Sequence, residues 1–321
     1  SVVPNLTFTK GDTQACSVQL EAQGETVIDV FTNISYDGLY RLNNSSGEGT
    51  TLINTTTFTS ALPYDLWIGS TQVTSDNASN VLGNGTVSFT ESVGVDTAPT
   101  YTLTLSGAAL TQPIKVGLPN LTIDIQGTNS ITTTETCIQN TSAAAVPTLT
   151  FKSTSDVVGS LTLTNNSGKT DDGVFSTDFN FSIDKALAPI ILRNGSYTSN
   201  TYYITAGEVH NVQFVPSYGV QVNDMQVYEG NATNVLGNGK VSFDKTTHTL
   251  TLDNASGIST ISTTLSTLDI DLVGSNSLYR ESNGSIFESA SGEAVTIKLK
   301  STGATGSLTM EAPANYGATL S

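Results

Sequence analysis

A chain of 321 residues with a formal net charge of −16 carries only 12 Lys and Arg against 28 Asp and Glu, which argues against a phosphate-binding or nucleic-acid-binding surface. Charged residues make up just 12% of the chain, and Thr, Ser, Asn and Gly fill the polar positions, a composition of polar-faced strands and turns rather than of salt-bridged helices. Two cysteines, Cys16 and Cys137, exclude a disulfide-rich scaffold and a zinc site built on four cysteines.

In chain order, the first recognisable element is VPNLTF at residues 3–8, which recurs as VPTLTF at 146–151, 143 positions later. SVQL at 17–20 keeps that offset against SLTL at 160–163, so residues 1–22 read as the tail of one repeat. NISYD at 33–37 then pairs with NFSID at 180–184, now 147 apart. Residues 64–89 match 218–243 without a gap at an offset of 154; within that run NVLGNGTVSF at 80–89 stands against NVLGNGKVSF at 234–243. Seven extra residues around Ser92 to Pro99 restore an offset of 147, which holds for LTIDI at 121–125 against LDIDL at 268–272 and GSLTL at 159–163 against GSLTM at 306–310.

The unit of about 150 residues is far longer than one solenoid turn, so the chain reads as an array of domains or super-repeats, two related β units, with a continuous fibre lacking a true boundary as the competing reading. The polar run Asn165 to Gly173 places the main boundary near residue 165. The first unit, 1–165, then holds the tail 1–22, flanking strands 24–63 and a β-helical half 64–165. The second, 166–321, holds flanking strands 166–217 and a β-helical half 218–321.

Apolar residues alternate at Leu103 and Leu105, at Leu121, Ile123 and Ile125, at Leu149 and Phe151, and at Leu161 and Leu163, the period of strands with one buried face. Gly or Asn follows each strand, and the first pair recurs after about twenty residues, which suits the coil of a parallel β-helix. Asn129 and Asn276, each in a G-x-N-S turn, are candidates for a hydrogen-bonded ladder. Asn84-Gly85 and Asn238-Gly239 fit two-residue hairpin turns with positive φ. The alternative is a pair of tandem β-sandwiches, and residues 24–63 and 174–222 are the more sandwich-like segments.

YDLWIGSTQVTSDNASNVLGNGTVSF at 64–89, followed by TLTLSGA, LTIDIQGTNSI, LTFKS and GSLTL, resembles modules of large bacterial surface proteins related to the clostridial carbohydrate-binding β-helix family. The likeness covers residues 64–165 well and 218–310 more loosely, and it does not extend to 24–60. It implies a right-handed parallel β-helix in each unit, an extracellular or cell-surface location, and binding of acidic polysaccharide. Where those modules carry LGDG this chain has LGNG, which removes a carboxylate that would help hold a cation.

Trp67 lies between Leu66 and Ile68, so period two turns it away from the buried face, where a sugar ring would stack on it; Gln221 takes its place in the second copy. Asp124 and Asp271 occupy equivalent outward positions and form a candidate acidic stripe, the natural place for carboxylate chemistry on sugars or for a ligand contact. Asp171-Asp172, close in sequence to Asp178 and Glu208, is an oxygen-rich run suited to calcium, the one cofactor the chain suggests, although its spacing is not that of an EF-hand loop. Cys16 and Cys137 form either one disulfide or two free thiols. The two histidines, His210 and His248, have no counterparts in the other copy, and no nucleophile, histidine and acid arrangement recurs, so no enzyme is expected.

No run of about 18 apolar residues occurs, so no transmembrane segment is expected, and Ser1 opens directly on mature-looking sequence, so any export signal is expected to lie outside it. The expected function is non-catalytic binding or adhesion at a bacterial surface, with polysaccharide, a surface glycan or another surface protein as partner. A structural spacer in a longer array is the second expectation, and a polysaccharide lyase or hydrolase the third.

Overall fold

The computed structural model describes residues 6–9, 17–24, 34–37, 40–48, 51–93, 98–142, 146–154, 156, 158–169, 172–176, 178–193, 196–199, 204, 209–280, 285–303 and 305–311. Their regular structure is nearly all β, with 57% strand, wound into a β-solenoid of about six turns, so the all-β parallel β-helix holds.

The chain opens with β1 (Leu6–Thr9), β2 (Ser17–Gly24), β3 (Ile34–Asp37), β4 (Tyr40–Glu48) and β5 (Thr51–Thr59). β1 and β3 pair in parallel, and β2, β5 and β4 form an antiparallel sheet in that order. The first helical half starts with a cap of β6 (Pro63–Ile68), β7 (Thr71–Thr74), a 3₁₀ turn at Ala78–Asn80, and β8 (Val87–Ser92). Winding then proceeds through β9 (Thr100–Ser106), β10 (Ala109–Leu110) and β11 (Ile114–Val116). The next turns hold β12 (Asn120–Gln126), β13 (Thr128–Thr133) and β14 (Ile138–Asn140), then β15 (Thr148–Lys152) and β16 (Ser160–Asn165). Three parallel faces result: β9, β12 and β15; β10, β13 and β16; β11 and β14.

β17 (Asn180–Ile183) extends the first face beyond β15, and β18 (Leu187–Arg193), β19 (Ser196–Ser199) and β20 (Asn211–Val222) lie antiparallel beyond β16. The second half repeats the plan with β21 (Met225–Tyr228), β22 (Val241–Asp244), β23 (Thr249–Asp253), β24 (Ile261–Thr263), β25 (Thr267–Tyr279), β26 (Phe287–Ser289), β27 (Thr296–Lys300) and β28 (Gly306–Glu311). β25 covers two faces in one run, pairing β23 and β27 through its first part and β28 through its last.

Two hydrophobic cores form, and β20 contributes to both: Val212 and Phe214 to the first, Val220 and Val222 to the second. The described buried apolar residues from Val174 to Phe214, grouped by sequence with the second unit, therefore belong to the first core. Phe214 stacks on Phe151 at 4.1 Å, Phe175 meets Phe151 edge-on at 5.9 Å, and Phe181 meets Phe175 at 4.9 Å. The polar run after Asn165 looks like a linker, but it leads straight into the apolar lid of the helix it follows. The pairings also show what residues 24–63 are. Leu6 opposes Ile34 as Leu149 opposes Phe181, Val18 opposes Phe58 as Leu161 opposes Phe214, and Arg41 opposes Phe58 as Pro189 opposes Phe214. β3, β4 and β5 thus repeat the pairing of β17, β18 and β20, and beyond the NISYD–NFSID match at 33–37 and 180–184 the sequence likeness is slight.

The G-x-N-S corners do not build an asparagine ladder. Each holds one buried side chain that ties three successive turns together. Asn129 accepts from the Ala108 amide at 2.8 Å and donates to the carbonyls of Gln126, Gly127 and Ser160 at 2.9, 3.2 and 3.2 Å. Asn276 accepts from Ala255 N at 2.8 Å and donates to Val273, Gly274 and Ser307 in the same pattern. The GNG segments are not two-residue hairpins either. Val81 N donates to Val87 O across a longer loop, the residues at positive φ are Gly83 and Gly85 rather than Asn84, and Asn80 Oδ1 accepts from the Gly85 amide at 2.8 Å. The second copy repeats this, with Asn234 Oδ1 accepting from Gly239 at 2.7 Å.

Removing the Asn129 amide orphans buried backbone groups at a cost of about 1–3 kcal/mol for each unsatisfied group. Asn129→Ala is therefore expected to lower the denaturation midpoint of the first core clearly, whereas Thr122→Ala on the outer face of β12 shifts it by less than about 0.5 kcal/mol; equilibrium urea unfolding compares the two.

Candidate functional site

Trp67 sits where the alternation of β6 places it, half-buried on the face opposite Leu66 and Ile68. It lies in register with Lys115 of β11 and Gln72 of β7, and with Asp65, Ser70 and Thr141 it lines an open depression of about 480 Å³. In the second copy Gln221 stands there opposite Ser262 and Gln226.

Asp124 and Asp271 do not form an exposed stripe. Both are buried, because the turn after the neighbouring strand folds over each. Asp124 accepts from Thr154 N at 2.9 Å, Thr154 Oγ1 at 2.5 Å and Gln126 Nε2 at 2.9 Å. Asp271 accepts from Thr302 N at 2.9 Å and Thr302 Oγ1 at 2.5 Å. These hydrogen bonds, with the nearby Lys300 ammonium, hold the Asp271 carboxyl below the usual carboxylate range against the opposing effect of burial. Period two does put both side chains on the outer side of their strands; alternation cannot reveal a turn lying on top of them.

Asp171, Glu208 and Cys16 lie outside the described residues. Asp172 pairs with Lys169 at 3.3 Å, and Asp178 accepts from Asn140 Nδ2 at 2.8 Å. Among the described residues no three His, Cys, Asp or Glu side chains cluster in a way that would hold a metal. Cys137 is a buried free thiol beside Thr133, and burial pushes its pKa up, which keeps it protonated and unreactive.

One large cavity was not flagged by any motif. It lies where β20 leaves the first core for the second, between the junction sheet and the cap of the second helix, and measures about 1040 Å³. The strand changes partners across Pro216 to Gly219: the register with β21 slips between Ser217 and Gln221, and Gly219 takes φ +71°. A Cβ at Gly219 would lie 2.4 Å from Thr264 Oγ1, so only glycine fits this bend. Ser217 Oγ fixes it by accepting from Gly219 N at 3.1 Å and donating to Gln226 Oε1 at 3.0 Å. The groove that results is lined by Ile190 and Val215 on one side and by Tyr218, Met225 and Tyr228 on the other, with Glu229 and Lys245 as its charged groups.

Tyr218 and Lys245 also line a second depression of about 480 Å³, together with Asp184, Lys185 and His248, so the pair stands between two hollows. The Lys245 ammonium lies 5.4 Å from the Tyr218 ring centroid, within cation–π range. In the first copy the residue equivalent to Tyr218 is Tyr64. There Tyr64 donates to Glu91 Oε2 at 3.0 Å and packs against Phe89 at 4.5 Å and Tyr101 at 6.3 Å. Lys245 stands in place of Glu91 and His248 in place of Tyr101, and His248 is exposed at φ +49°. These differences between copies are the signal in the sequence that could have pointed to the groove, and they exchange an acid and an aromatic ring for a cation and an imidazole.

No family model matches the chain, and no curated protein or solved structure matches it. The Asp271 carboxyl yields a pH test. Its folded-state pKa lies below the unfolded value of about 3.9, so its contribution is complete above that value and is lost as pH falls through the lower folded one. Asp271→Asn is expected to destabilise the second core at pH 7, with the gap to the parent chain closing below about pH 4 in denaturation curves recorded across that range.

Proposed function

We propose that the chain is a non-catalytic binding or adhesion protein of a bacterial surface that recognises polysaccharide in the groove at the junction. The observation that carries this reading is the Tyr218–Lys245 pair between two hollows, flanked by Tyr228 and Met225. A ring with two apolar walls and a few polar groups suits a pyranose, whose CH face stacks on the aromatic while its hydroxyls reach Glu229 and its neighbours. Lys245 and Lys185 add cations on a chain that is otherwise strongly acidic, which favours a sugar bearing a carboxylate or sulfate. The fold supports the same reading by presenting a rigid bend between two cores. The paired carboxylates Asp124 and Asp271, which would be the first candidates for glycoside hydrolysis, are spent on holding turns. Location outside the cell belongs to this proposal; among the described residues no helix is long and apolar enough to cross a membrane.

A spacer role is the second reading, and β20 favours it, because one unbroken strand fixes the second core to the first as a stiff rod requires. Glycan-array retention separates the two. Tyr218→Ala is expected to weaken retention about tenfold, equivalent to about 1.4 kcal/mol, and Lys245→Ala to weaken binding of acidic glycans more than neutral ones. Trp67→Ala reports separately on the depression at β6. No retention of any glycan, with or without calcium, would leave the spacer reading standing.

A further inference from the structure

The outward side of the sheet formed by β7, β6, β11 and β14 holds a constellation separate from the junction groove. Register sets Gln72, Trp67, Lys115 and Gln139 side by side in one row across the four strands. The neighbouring row carries Asp65, Gly117 and Thr141, because Gly117 N donates to Asp65 O at 2.8 Å and Thr141 N donates to Val116 O at 2.9 Å. A Cβ at Gly117 would overlap the Asp65 carboxylate, so glycine is what lets that carboxylate lie across β11 beside the row of Trp67 and Lys115. Trp67, Lys115, Asp65 and Thr141 then wall the open depression of about 480 Å³. Among the described residues no hydrogen bond or ion pair engages the Asp65 carboxylate, the Trp67 indole N–H or the Lys115 ammonium.

The second half provides the comparison, since it sets equivalent strands in the same register. Gln221 stands for Trp67 and Ser262 for Lys115, and Ser262 Oγ donates to Gln221 Oε1 at 3.4 Å. The glycine changes sides. Gly219 takes the place of Asp65 and Thr264 that of Gly117, with Thr264 N donating to Gly219 O at 2.8 Å, and here a Cβ at Gly219 would overlap Thr264 Oγ1. Ala290 takes the place of Thr141, its amide donating to Thr263 O at 2.7 Å, and its carbonyl accepts from the Lys185 ammonium. The hollow among these residues measures only about 10 Å³. The same sheet therefore folds with small polar side chains at these positions, and packing alone does not call for an indole, an ammonium and a carboxylate together in the first half.

We propose that the depression at Trp67 is a second glycan site, independent of the junction groove, and that it takes a neutral pyranose unit of a polysaccharide. The half-buried indole offers its outward face to the CH face of the ring. Asp65 accepts from one sugar hydroxyl and Lys115 donates to another, both as charge-assisted hydrogen bonds. One acid and one base leave the depression without net charge, which matches an uncharged ligand and gives a carboxylate or sulfate no advantage. The hollow beside Tyr218, with Lys185, Lys245 and His248, has the opposite bias. A volume of about 480 Å³ lies within the range of small-molecule sites, and its open side lets a longer chain run on past the bound unit.

Trp67 is the one tryptophan of the chain, so its fluorescence reports on this site directly. The full chain is titrated with cellohexaose, xylohexaose and mannohexaose as neutral probes and with hexagalacturonate as the acidic one. A saturable change in emission is expected with at least one neutral hexasaccharide, at a lower concentration than with hexagalacturonate. Asp65→Asn and Lys115→Ala are each expected to weaken that binding about fivefold with strand circular dichroism unchanged, and Tyr218→Ala to leave it as it was. Trp67→Gln, which brings in the residue of the second copy, is expected to weaken binding of the same hexasaccharide about tenfold by isothermal titration calorimetry. The proposal is overturned if no neutral hexasaccharide alters the emission, if binding is indifferent to Asp65 and Lys115, if Tyr218→Ala removes it, or if hexagalacturonate binds at Trp67 as tightly as the neutral probes.

Discussion

One side-chain amide per unit sets the conditions for everything else in this protein. Where a parallel β-helix turns from its first face to its second, the backbone bends away from its ladder and leaves buried amides and carbonyls without partners. Asn129 meets that need across three turns at once, and Asn276 does so in the second unit with the same set of partners. Gly159 and Gly306 belong to the same corner: a Cβ at either would lie within 2.6 Å of a carbonyl oxygen of the preceding turn. Close approach of the backbone and a single satisfied amide lock one turn over the next, and the register of the inward Leu, Ile and Phe residues follows from that lock.

The strand alternation and the long internal repeat made the helical halves legible, because period two and a recurring corner motif are local properties. The repeat also marked equivalent residues correctly: Asn80 and Asn234 cap the same loop, and Asp124 and Asp271 hold the same turn. Three features were not legible, each for a physical reason. The exposure of Asp124 and Asp271 depends on where a loop lies, which alternation does not encode. The allegiance of the buried apolar residues from Val174 to Phe214 depends on aromatic residues closing over a helix end, and a polar run between them and that helix concealed it. The kinship of residues 40–59 with 187–215 shows mainly in backbone pairing, because past the NISYD–NFSID match at 33–37 and 180–184 few residues agree.

The junction joins architecture to the proposed function. Because β20 must serve two cores, it bends at Gly219, and the bend leaves a groove that neither helical half forms by itself. In the first copy Tyr64 packs against Phe89 and Tyr101. The second has Lys245 and His248 in place of Glu91 and Tyr101, and both line the hollow beside Tyr218.

The account rests on β20 being divided between two cores, with residues 174–215 belonging to the helix that precedes them. Native-state hydrogen exchange measures this directly. Amides of Val212 and Phe214 are predicted to open together with β12 and β15, and those of Val220 and Val222 together with β23 and β25. Exchange of the whole of 174–222 in concert with the second helix, and independently of β12 and β15, would contradict it.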